Sequence, residues 1–173
     1  MKRRTFVKNM GANGLALTVV PSHVVSGLGH IPPSDKLNIA GIGVGKSGKG
    51  KVNLEKMVDQ NIVSLCDVDF DYASPVFEAY PIEKTYKDFR IMLEKQKDID
   101  AVVVATPDHS HAVQAAAAME LGKHVYVQKP LTHSVWESRY LTKLAEKTGV
   151  VTQMGNEGHS RPNVYEVAEV VQS

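Results

Sequence analysis

Three glycines with the spacing G-x-G-x-x-G follow the first apolar segment of the chain, at Gly43, Gly45 and Gly48. In a turn between a buried strand and a helix, the first glycine permits the tight turn and the second lets the main chain approach a pyrophosphate. The third lets helix and strand pack closely, and the free N–H groups at the helix start favour a phosphate. The motif therefore predicts a dinucleotide site.

A carboxylate stands at the distance from this loop that such a site requires. Asp67 ends the second apolar segment, 24 residues after Gly43 and 19 after Gly48. There it can accept hydrogen bonds from both ribose hydroxyls of an adenosine. It would also repel a 2′-phosphate, and no arginine occupies residues 68–70. The pattern predicts NAD as the cofactor in preference to NADP.

The same glycine-rich segment is close to a phosphate-binding loop, G-x-x-x-x-G-K-[ST]. Residues 40–47 match it except that Ala40 replaces the first glycine. Residues 43–49 match it up to the lysine, but Gly50 replaces the hydroxyl residue that would hold Mg²⁺. A nucleoside triphosphatase also needs an acid at a strand end, which Asp67 could supply. A P-loop protein and a glycine turn without a ligand therefore stay as alternatives.

Three later clusters of polar residues also follow apolar segments. Ligands of open α/β sheets bind outside the carboxyl ends of the strands, so these clusters and the glycine loop are expected at one edge of the sheet. The clusters are T-P-D-H-S-H at 106–111, Q-K-P at 128–130 and M-G-N-E-G-H at 154–159.

Short apolar segments alternate with helical patterns from residue 37 onward. The segment 101–105 has no polar alternation, which is typical of a strand buried on both faces of a parallel sheet. Ser134 and Glu137 form a capping box for a helix that Gly149 can end. This alternation predicts an α/β fold with a doubly wound parallel sheet. The predicted strands are 37–42, 62–66, 101–105, 124–127 and 150–153, with a weaker one at 84–86, and further helices are predicted at 110–121 and after Ser160.

The composition is that of one globular domain. The 173 residues are 43% apolar and 23% charged, which is enough for one core and too little for two full domains. A formal net charge of +1 gives no electrostatic reason to expect nucleic acid as a partner. The single cysteine, Cys66, excludes an internal disulfide, and its apolar neighbours predict a buried thiol.

The N-terminus has the pattern of an export signal. Arg3 and Arg4 lie in a basic segment that precedes a weakly apolar stretch at 10–20. That stretch is too short for a membrane span, which takes about 20 residues. R-R-x-F-V-K resembles a twin-arginine signal. We therefore expect residues 1–34 to be signal and linker, residues 35–173 to be the folded domain, and the protein to reach the periplasm or cell envelope; a disordered basic tail is the alternative.

Taken in order, the motifs resemble one oxidoreductase family. The glycine loop, C-D-V-D, A-T-P-D-H-S-H, V-Y-V-Q-K-P-L and M-G-N-E-G-H-S are similar to the N-terminal half of the Gfo/Idh/MocA family, over about residues 36–173. The resemblance implies a Rossmann fold that binds NAD(P), with Lys129 as the catalytic residue at the reacting carbon, before a cis proline. It implies the cofactor-binding residues Gly43, Gly45, Gly48, Asp67, Thr106, Pro107, His109, His111, Gln128 and Asn156.

Two features depart from the family pattern. Gln128 stands where the family commonly has glutamate; its amide can still bond a ribose hydroxyl but brings no charge. Family members also carry a C-terminal α/β domain that forms the substrate pocket and, by this resemblance, can mediate homo-oligomerisation. This sequence ends at Ser173, where that domain would begin, so we expect the chain to lack it and to be inactive alone.

The resemblance implies hydride transfer between NAD and a hydroxyl-bearing carbon of a sugar or cyclitol. Two alternatives share the dinucleotide site: an NAD-dependent glycosidase that works by oxidation and elimination, and a binding fragment without catalysis. His109 and His111 have the H-x-H spacing of a metal pair. Because no third ligand cluster accompanies them, no metal is predicted, and no stable membrane span is predicted either.

Overall fold

The chain divides into two compact units, Met1–Lys36 and Leu37–Ser173. In the described part of the first unit, one 3₁₀ turn is formed by Pro33–Asp35. Most of the predicted signal and linker lies outside the described residues, as do Lys46 and Ser47 of the glycine loop. The computed structural model describes residues 32–45, 48–80, 82, 84–160 and 162–173.

The second unit contains a six-stranded parallel sheet in the order β3-β2-β1-β4-β5-β6. The order reverses between β1 and β4, which confirms the predicted doubly wound sheet and creates a crevice at the carboxyl ends of these two strands. The weakly predicted strand is present as β3. The strands are β1 Asn38–Ile42, β2 Asn61–Cys66, β3 Thr85–Tyr86, β4 Ala101–Val104, β5 His124–Gln128 and β6 Thr152–Gly155.

Helices cover the sheet from both sides. Leu65 and Cys66 are neighbours on β2 and therefore face opposite sides, and each belongs to a different hydrophobic cluster. The smaller cluster joins Leu65 to α1 and α2, and the larger one joins Cys66 to α3, α4 and α5. The helices are α1 Lys49–Glu55, α2 Phe70–Ala79, α3 Phe89–Lys95, α4 His111–Glu120, α5 Val135–Thr148 and α6 Pro162–Gln172.

The central strand β4 is buried as predicted, whereas β6 is displaced from its prediction. Val102, Val103 and Val104 are all at most 2% exposed. The strand predicted at 150–153 runs instead over Thr152–Gly155. Its register explains the shift, because the pairing with β5 extends to Gly155, opposite Gln128.

None of the helices in the described residues has both the length and the apolar character that a membrane span needs.

The capping box of α5 is formed as predicted. The Ser134 hydroxyl accepts from the Glu137 amide at 3.3 Å, and Glu137 accepts from the Ser134 amide at 2.8 Å. That donation by the Ser134 amide lowers the pKa of the Glu137 carboxyl. Gly149 ends the helix with a left-handed φ of 70°.

We expect Ser134→Ala to lower the free energy of unfolding by about 1 kcal/mol, because the Glu137 amide loses its acceptor at the helix start. Urea unfolding followed by circular dichroism measures the change. Ser34→Ala is the matched control, since within the described residues the Ser34 hydroxyl bonds the adjacent Asp35 side chain and caps no α-helix. Equal midpoints for the two variants would show that the cap contributes nothing.

Candidate functional site

The glycine loop begins with a main-chain conformation that needs glycine. Gly43 has a φ of 79° and follows β1 directly. Its amide donates to the Cys66 carbonyl at 2.9 Å, which ties the loop to the end of β2. A Cβ at Gly43 would lie 2.8 Å from the carbonyl carbon and oxygen of Ala105, at the end of β4. The loop therefore lies against the backbones of both neighbouring strands.

The other two glycines of the motif, Gly45 and Gly48, bring the main chain close to its neighbours because they have no side chain. A Cβ on Gly45 would collide with the ring of Tyr72 from α2. The Gly48 amide donates to the Gly45 carbonyl at 2.9 Å, and Gly48 is the N-cap residue of α1 without a side-chain cap. Main-chain N–H groups at this helix start are thus left for an external acceptor, as a phosphate-binding turn requires.

A cleft of about 310 Å³ unites the predicted residues at the reversal of strand order. It brings the three glycines together with Asp67, Thr106 and Pro107, from the ends of β1, β2 and β4. Its remaining lining residues are Ile42, Cys66, Val68, Asp69, Tyr72, Lys87, Phe89, Ala105 and Gln114. One open cleft with an apolar lining and a few polar groups is typical of a cofactor site.

Main-chain hydrogen bonds fix Asp67 at this cleft. Its amide donates to the Tyr86 carbonyl at 3.1 Å, and its Oδ1 accepts from the Asp69 amide at 3.1 Å. Asp69 in turn caps α2 by accepting from the Tyr72 amide at 2.9 Å. The carboxylate is thereby held at the end of β2, where the sequence predicted a ribose acceptor.

Several residues of the cleft were not identified from the sequence. Lys87 follows β3 directly. Ligands bind outside the carboxyl ends of the strands, so a firm prediction of this two-residue strand would have made Lys87 a candidate cleft residue. Its Nζ lies 5.2 Å from the centre of the Phe70 ring. Tyr72 and Gln114 lie within helices, and nothing in their sequence positions indicates a cleft residue.

The turn after β4 is held by side chains of α4 and the 3₁₀ turn Asp108–Ser110. The Thr106 hydroxyl donates to Gln114 Oε1 at 2.6 Å and accepts from the Ser110 hydroxyl at 2.9 Å. The hydroxyl is therefore occupied within the protein. Thr106 and Pro107 line the cleft as fixed parts of its wall.

The two histidines of this segment differ in burial. His109 is exposed. His111 is 1% exposed, and its ring nitrogens lie 2.7 Å from the Thr106 carbonyl and 2.7 Å from the Pro130 carbonyl. Neither histidine belongs to the lining of the cleft among the described residues. His111 instead supports the turns that surround it.

Lys129 and Asn156 share a second cavity of about 340 Å³. Lys129 is exposed at the carboxyl end of β5, before a cis bond to Pro130. Asn156 follows β6, and the rest of the lining is Gly155, Glu157 and Gly158. The fold thus places the predicted catalytic lysine and the predicted Asn156 side by side.

Gln128 is buried beside this cavity with an unsatisfied acceptor. It is 6% exposed, and its Oε1 has no hydrogen-bond partner in the described chain. A Cβ at Gly155 would meet both this oxygen and the Tyr126 hydroxyl, so a larger residue there would have to displace the ends of two β5 side chains. Because the oxygen is also closed to solvent, the Gln128 side chain would have to move before a ligand could donate to it.

An ion pair connects α1, the helix that follows the glycine loop, to the segment after the edge strand β6. Lys49 Nζ, at the start of α1, lies 2.6 Å from Glu157 Oε1, after β6. Both side chains are partly exposed, so the pair contributes less than about 1 kcal/mol. It nevertheless joins two loops that are 108 residues apart in sequence.

Cys66 is buried, as the sequence predicted, and is 2% exposed. Burial first, and then the Asp67 and Asp88 carboxylates, raise the pKa of its thiol to about 12. Because the thiolate is the nucleophile, we expect Cys66 in the folded chain to resist a disulfide reagent at pH 8 and to react rapidly in urea. Comparable rates with and without urea would contradict this.

Among the described residues, no three His, Cys, Asp or Glu side chains cluster as a metal site. The H-x-H alternative also meets a geometric obstacle, because both ring nitrogens of His111 face main-chain carbonyls.

Comparison with known proteins agrees with this geometry. The model of an oxidoreductase family with an NAD-binding Rossmann fold, GFO_IDH_MocA, matches residues 37–156. A 4-carboxy-2-hydroxymuconate-6-semialdehyde dehydrogenase from Sphingobium sp. (strain NBRC 103272 / SYK-6) is 32% identical over 128 residues, 73% of this chain and 40% of that protein. A glycosyl hydrolase family 109 protein from Shewanella pealeana (strain ATCC 700345 / ANG-SQ1) is 31% identical over 131 residues, 68% of this chain and 28% of that protein.

Further similarities cover the same part of the chain. The scyllo-inositol 2-dehydrogenase (NAD(+)) of Bacillus subtilis (strain 168) is 39% identical over 83 residues, 48% of this chain and 24% of that enzyme. The crystal structure of GenD2 from gentamicin A biosynthesis in complex with NAD superposes with a TM-score of 0.71 at 25% identity, over 88% of this chain and 41% of that one. The chain spans at most about 40% of the length of these relatives.

Proposed function

The chain belongs to the Gfo/Idh/MocA oxidoreductase family, and we propose that it is the NAD-binding half of an exported enzyme that transfers a hydride between NAD and a hydroxyl-bearing carbon of a sugar or cyclitol. The observation that carries the proposal is the single cleft in which the glycine loop, Asp67 and the Thr106–Pro107 turn meet. The inositol dehydrogenases among the relatives support the substrate class.

The residues of the cleft fit a dinucleotide. Gly43 and Gly45 stand where a Cβ would collide with neighbouring atoms, so the loop presents bare main chain to the cleft. Asp67 supplies an acceptor for ribose hydroxyls. We assign the phosphates to the glycine loop, the adenosine ribose to Asp67 and the nicotinamide half to the side of Gln128 and Asn156.

When bound, the nicotinamide ring supplies the carbon that accepts or gives the hydride. Lys129 would act on the substrate oxygen in one of two ways: as an ammonium group that stabilises a developing negative charge, or as an amine that relays the hydroxyl proton. Asn156 would orient the ligand from within the cavity that the two residues share. His109 lies outside both cavities, and its assignment to the cofactor is a proposal from the family resemblance alone.

Export through the twin-arginine route is part of the proposal and rests on the Arg3–Arg4 segment. That route carries folded proteins, so NAD could leave the cytoplasm already bound. Periplasmic fractionation of cells that express the chain, with Arg3→Lys and Arg4→Lys together as the export-deficient control, tests it. Equal export of both forms would remove the twin-arginine assignment.

A glycosidase that uses bound NAD catalytically is a second candidate. The 31% identity to a glycosyl hydrolase family 109 protein favours it. In such a reaction the cofactor is reduced and reoxidised in each cycle, so glycoside cleavage proceeds without net reduction of added NAD⁺. If the whole enzyme, of which this chain is proposed to be the NAD-binding half, consumed one NAD⁺ per product, the glycosidase reaction would be excluded.

Binding is the first test, because the chain spans only part of its relatives. We expect NAD⁺ to raise the melting temperature of the full chain, since a ligand at 100 times its Kd stabilises the folded state by about 2.7 kcal/mol. NADP⁺ should raise it less, and Mg·ATP should leave it unchanged. A shift with Mg·ATP and none with NAD⁺ would mean that the loop is a P-loop.

A further inference from the structure

The ring of Tyr72 lies against the second glycine of the glycine loop. A Cβ on Gly45 would collide with Cδ1 and Cε1 of this ring. Tyr72 is in the first turn of α2, whose N-cap residue is Asp69, and it lines the cofactor cleft together with Gly45. Its amide donates to Asp69 Oδ1 at 2.9 Å, which fixes the main chain that carries the ring. The ring therefore covers one side of Gly45 from a fixed position on α2.

The covered side of Gly45 is the side that a pyrophosphate needs. In a G-x-G-x-x-G loop the second glycine lets the main chain approach the pyrophosphate, because a Cβ at this position would stand between them. The pyrophosphate of a bound dinucleotide is therefore expected where the Cβ is missing. In this structure, ring atoms of Tyr72 lie within contact distance of that point. The ring in this position and a bound pyrophosphate exclude each other.

Another rotamer is within reach of the Tyr72 side chain. The residue is 39% exposed, and neither hydrophobic cluster of the described residues includes it. Aromatic side chains on helices adopt a χ1 of about 180° or about −60°, and a change between these rotamers does not require the main chain to move. Turning the ring away from Gly45 thus disrupts no packing of either cluster and leaves the start of α2 in place.

We propose that the Tyr72 ring covers Gly45 in the chain without cofactor and rotates away when NAD binds, so that Tyr72 lowers the affinity for the dinucleotide. The proposal rests on the proposed function, since it needs the pyrophosphate at the glycine loop. The apparent Kd is the Kd of the open form divided by the fraction of molecules that are open. A ring that covers Gly45 in about 70–90% of the molecules therefore weakens binding roughly 3- to 10-fold.

Calorimetric titration of the full chain with NAD⁺ tests the competition. We expect Tyr72→Ala to bind NAD⁺ roughly 3- to 10-fold more tightly, because no ring then competes with the pyrophosphate. Tyr72→Phe keeps the ring and should not tighten binding. Tyr140→Ala is the matched control, since Tyr140 is 38% exposed and does not belong to the cleft lining among the described residues. It should leave the affinity unchanged.

The ring can also be observed in the unaltered chain by nuclear magnetic resonance. We expect a nuclear Overhauser effect between the Tyr72 ring protons and the Gly45 α-protons without NAD⁺, and its loss when NAD⁺ saturates the chain. A contact that persists with NAD⁺ bound, or a folded Tyr72→Ala chain with unchanged or weaker affinity, would refute the proposal and leave the proposed function standing. Absence of NAD⁺ binding by both the unaltered chain and Tyr72→Ala would refute the proposed function and this proposal with it.

Discussion

Gly43→Ala is expected to lower the free energy of unfolding by about 2–4 kcal/mol, the largest effect among the substitutions considered. The positive φ alone costs roughly 1–2 kcal/mol for a residue with a Cβ. The new methyl group would also lie 2.8 Å from the main-chain carbonyl of Ala105. Because that carbonyl belongs to the end of β4, the strain of overpacking adds about 1–3 kcal/mol.

Two other glycines separate these two causes. Gly149 also has a positive φ, of 70°, but no atom lies within 4 Å of its added Cβ. Gly149→Ala should therefore cost only about 1–2 kcal/mol. Gly158 has open space and no positive φ, so Gly158→Ala should be neutral or stabilise the fold by up to about 1 kcal/mol through the unfolded state. Urea unfolding of the three variants measures the free energy of unfolding. If Gly43→Ala and Gly149→Ala lowered it equally, the contact of the new methyl group with the Ala105 carbonyl would cost nothing.

Asp67→Ala is expected to weaken NAD⁺ binding roughly 10- to 100-fold, because hydrogen bonds to a charged acceptor contribute about 1.5–3 kcal/mol. Isothermal calorimetry on the full chain measures the change. Asp71→Ala is the matched control, since Asp71 lies on the same segment, is exposed and does not line the cleft. Equal affinities for the two variants would place the ribose elsewhere.

The same variant should bind NADP⁺ more tightly than the unaltered chain does. The carboxylate that repels a 2′-phosphate is gone, whereas Lys87 remains in the cleft. Adding Lys87→Ala to Asp67→Ala should therefore reverse the gain for NADP⁺ without affecting NAD⁺ further. If Lys87→Ala left NADP⁺ affinity unchanged, the lysine would have no part in cofactor choice.

The sequence could predict those site residues that directly follow a strand, because ligands of open α/β sheets bind outside the carboxyl ends of the strands. On this ground Asp67, Lys129 and Asn156 were expected at one edge of the sheet, and all three line cavities there. Lys87 was missed, because a two-residue strand leaves almost no periodicity in the sequence. Strand ends also say nothing about residues inside helices, such as Gln114, whose contact with Thr106 depends on how α4 packs.

The resemblance to a family named residues for the site but could not indicate what their side chains contact. It assigned His111 to the cofactor, and the structure adds that the buried ring lies between two main-chain carbonyls. It likewise could not indicate that Gln128 would have an unpartnered oxygen, or that Gly155 makes room for it. These contacts join residues of different strands and helices, so they depend on three-dimensional register.

The sequence by itself determined the parallel doubly wound sheet, the glycine loop after β1, the acid at the end of β2 and the capping box of α5. Each of these follows from local patterns, because strand burial, tight turns and helix caps involve residues close in the chain. Only the tertiary structure decided three other features: the contact of Tyr72 with Gly45, the ion pair of Lys49 with Glu157, and the position of the His111 ring between the Thr106 and Pro130 carbonyls. Each of them depends on how elements that are separate in the sequence pack together.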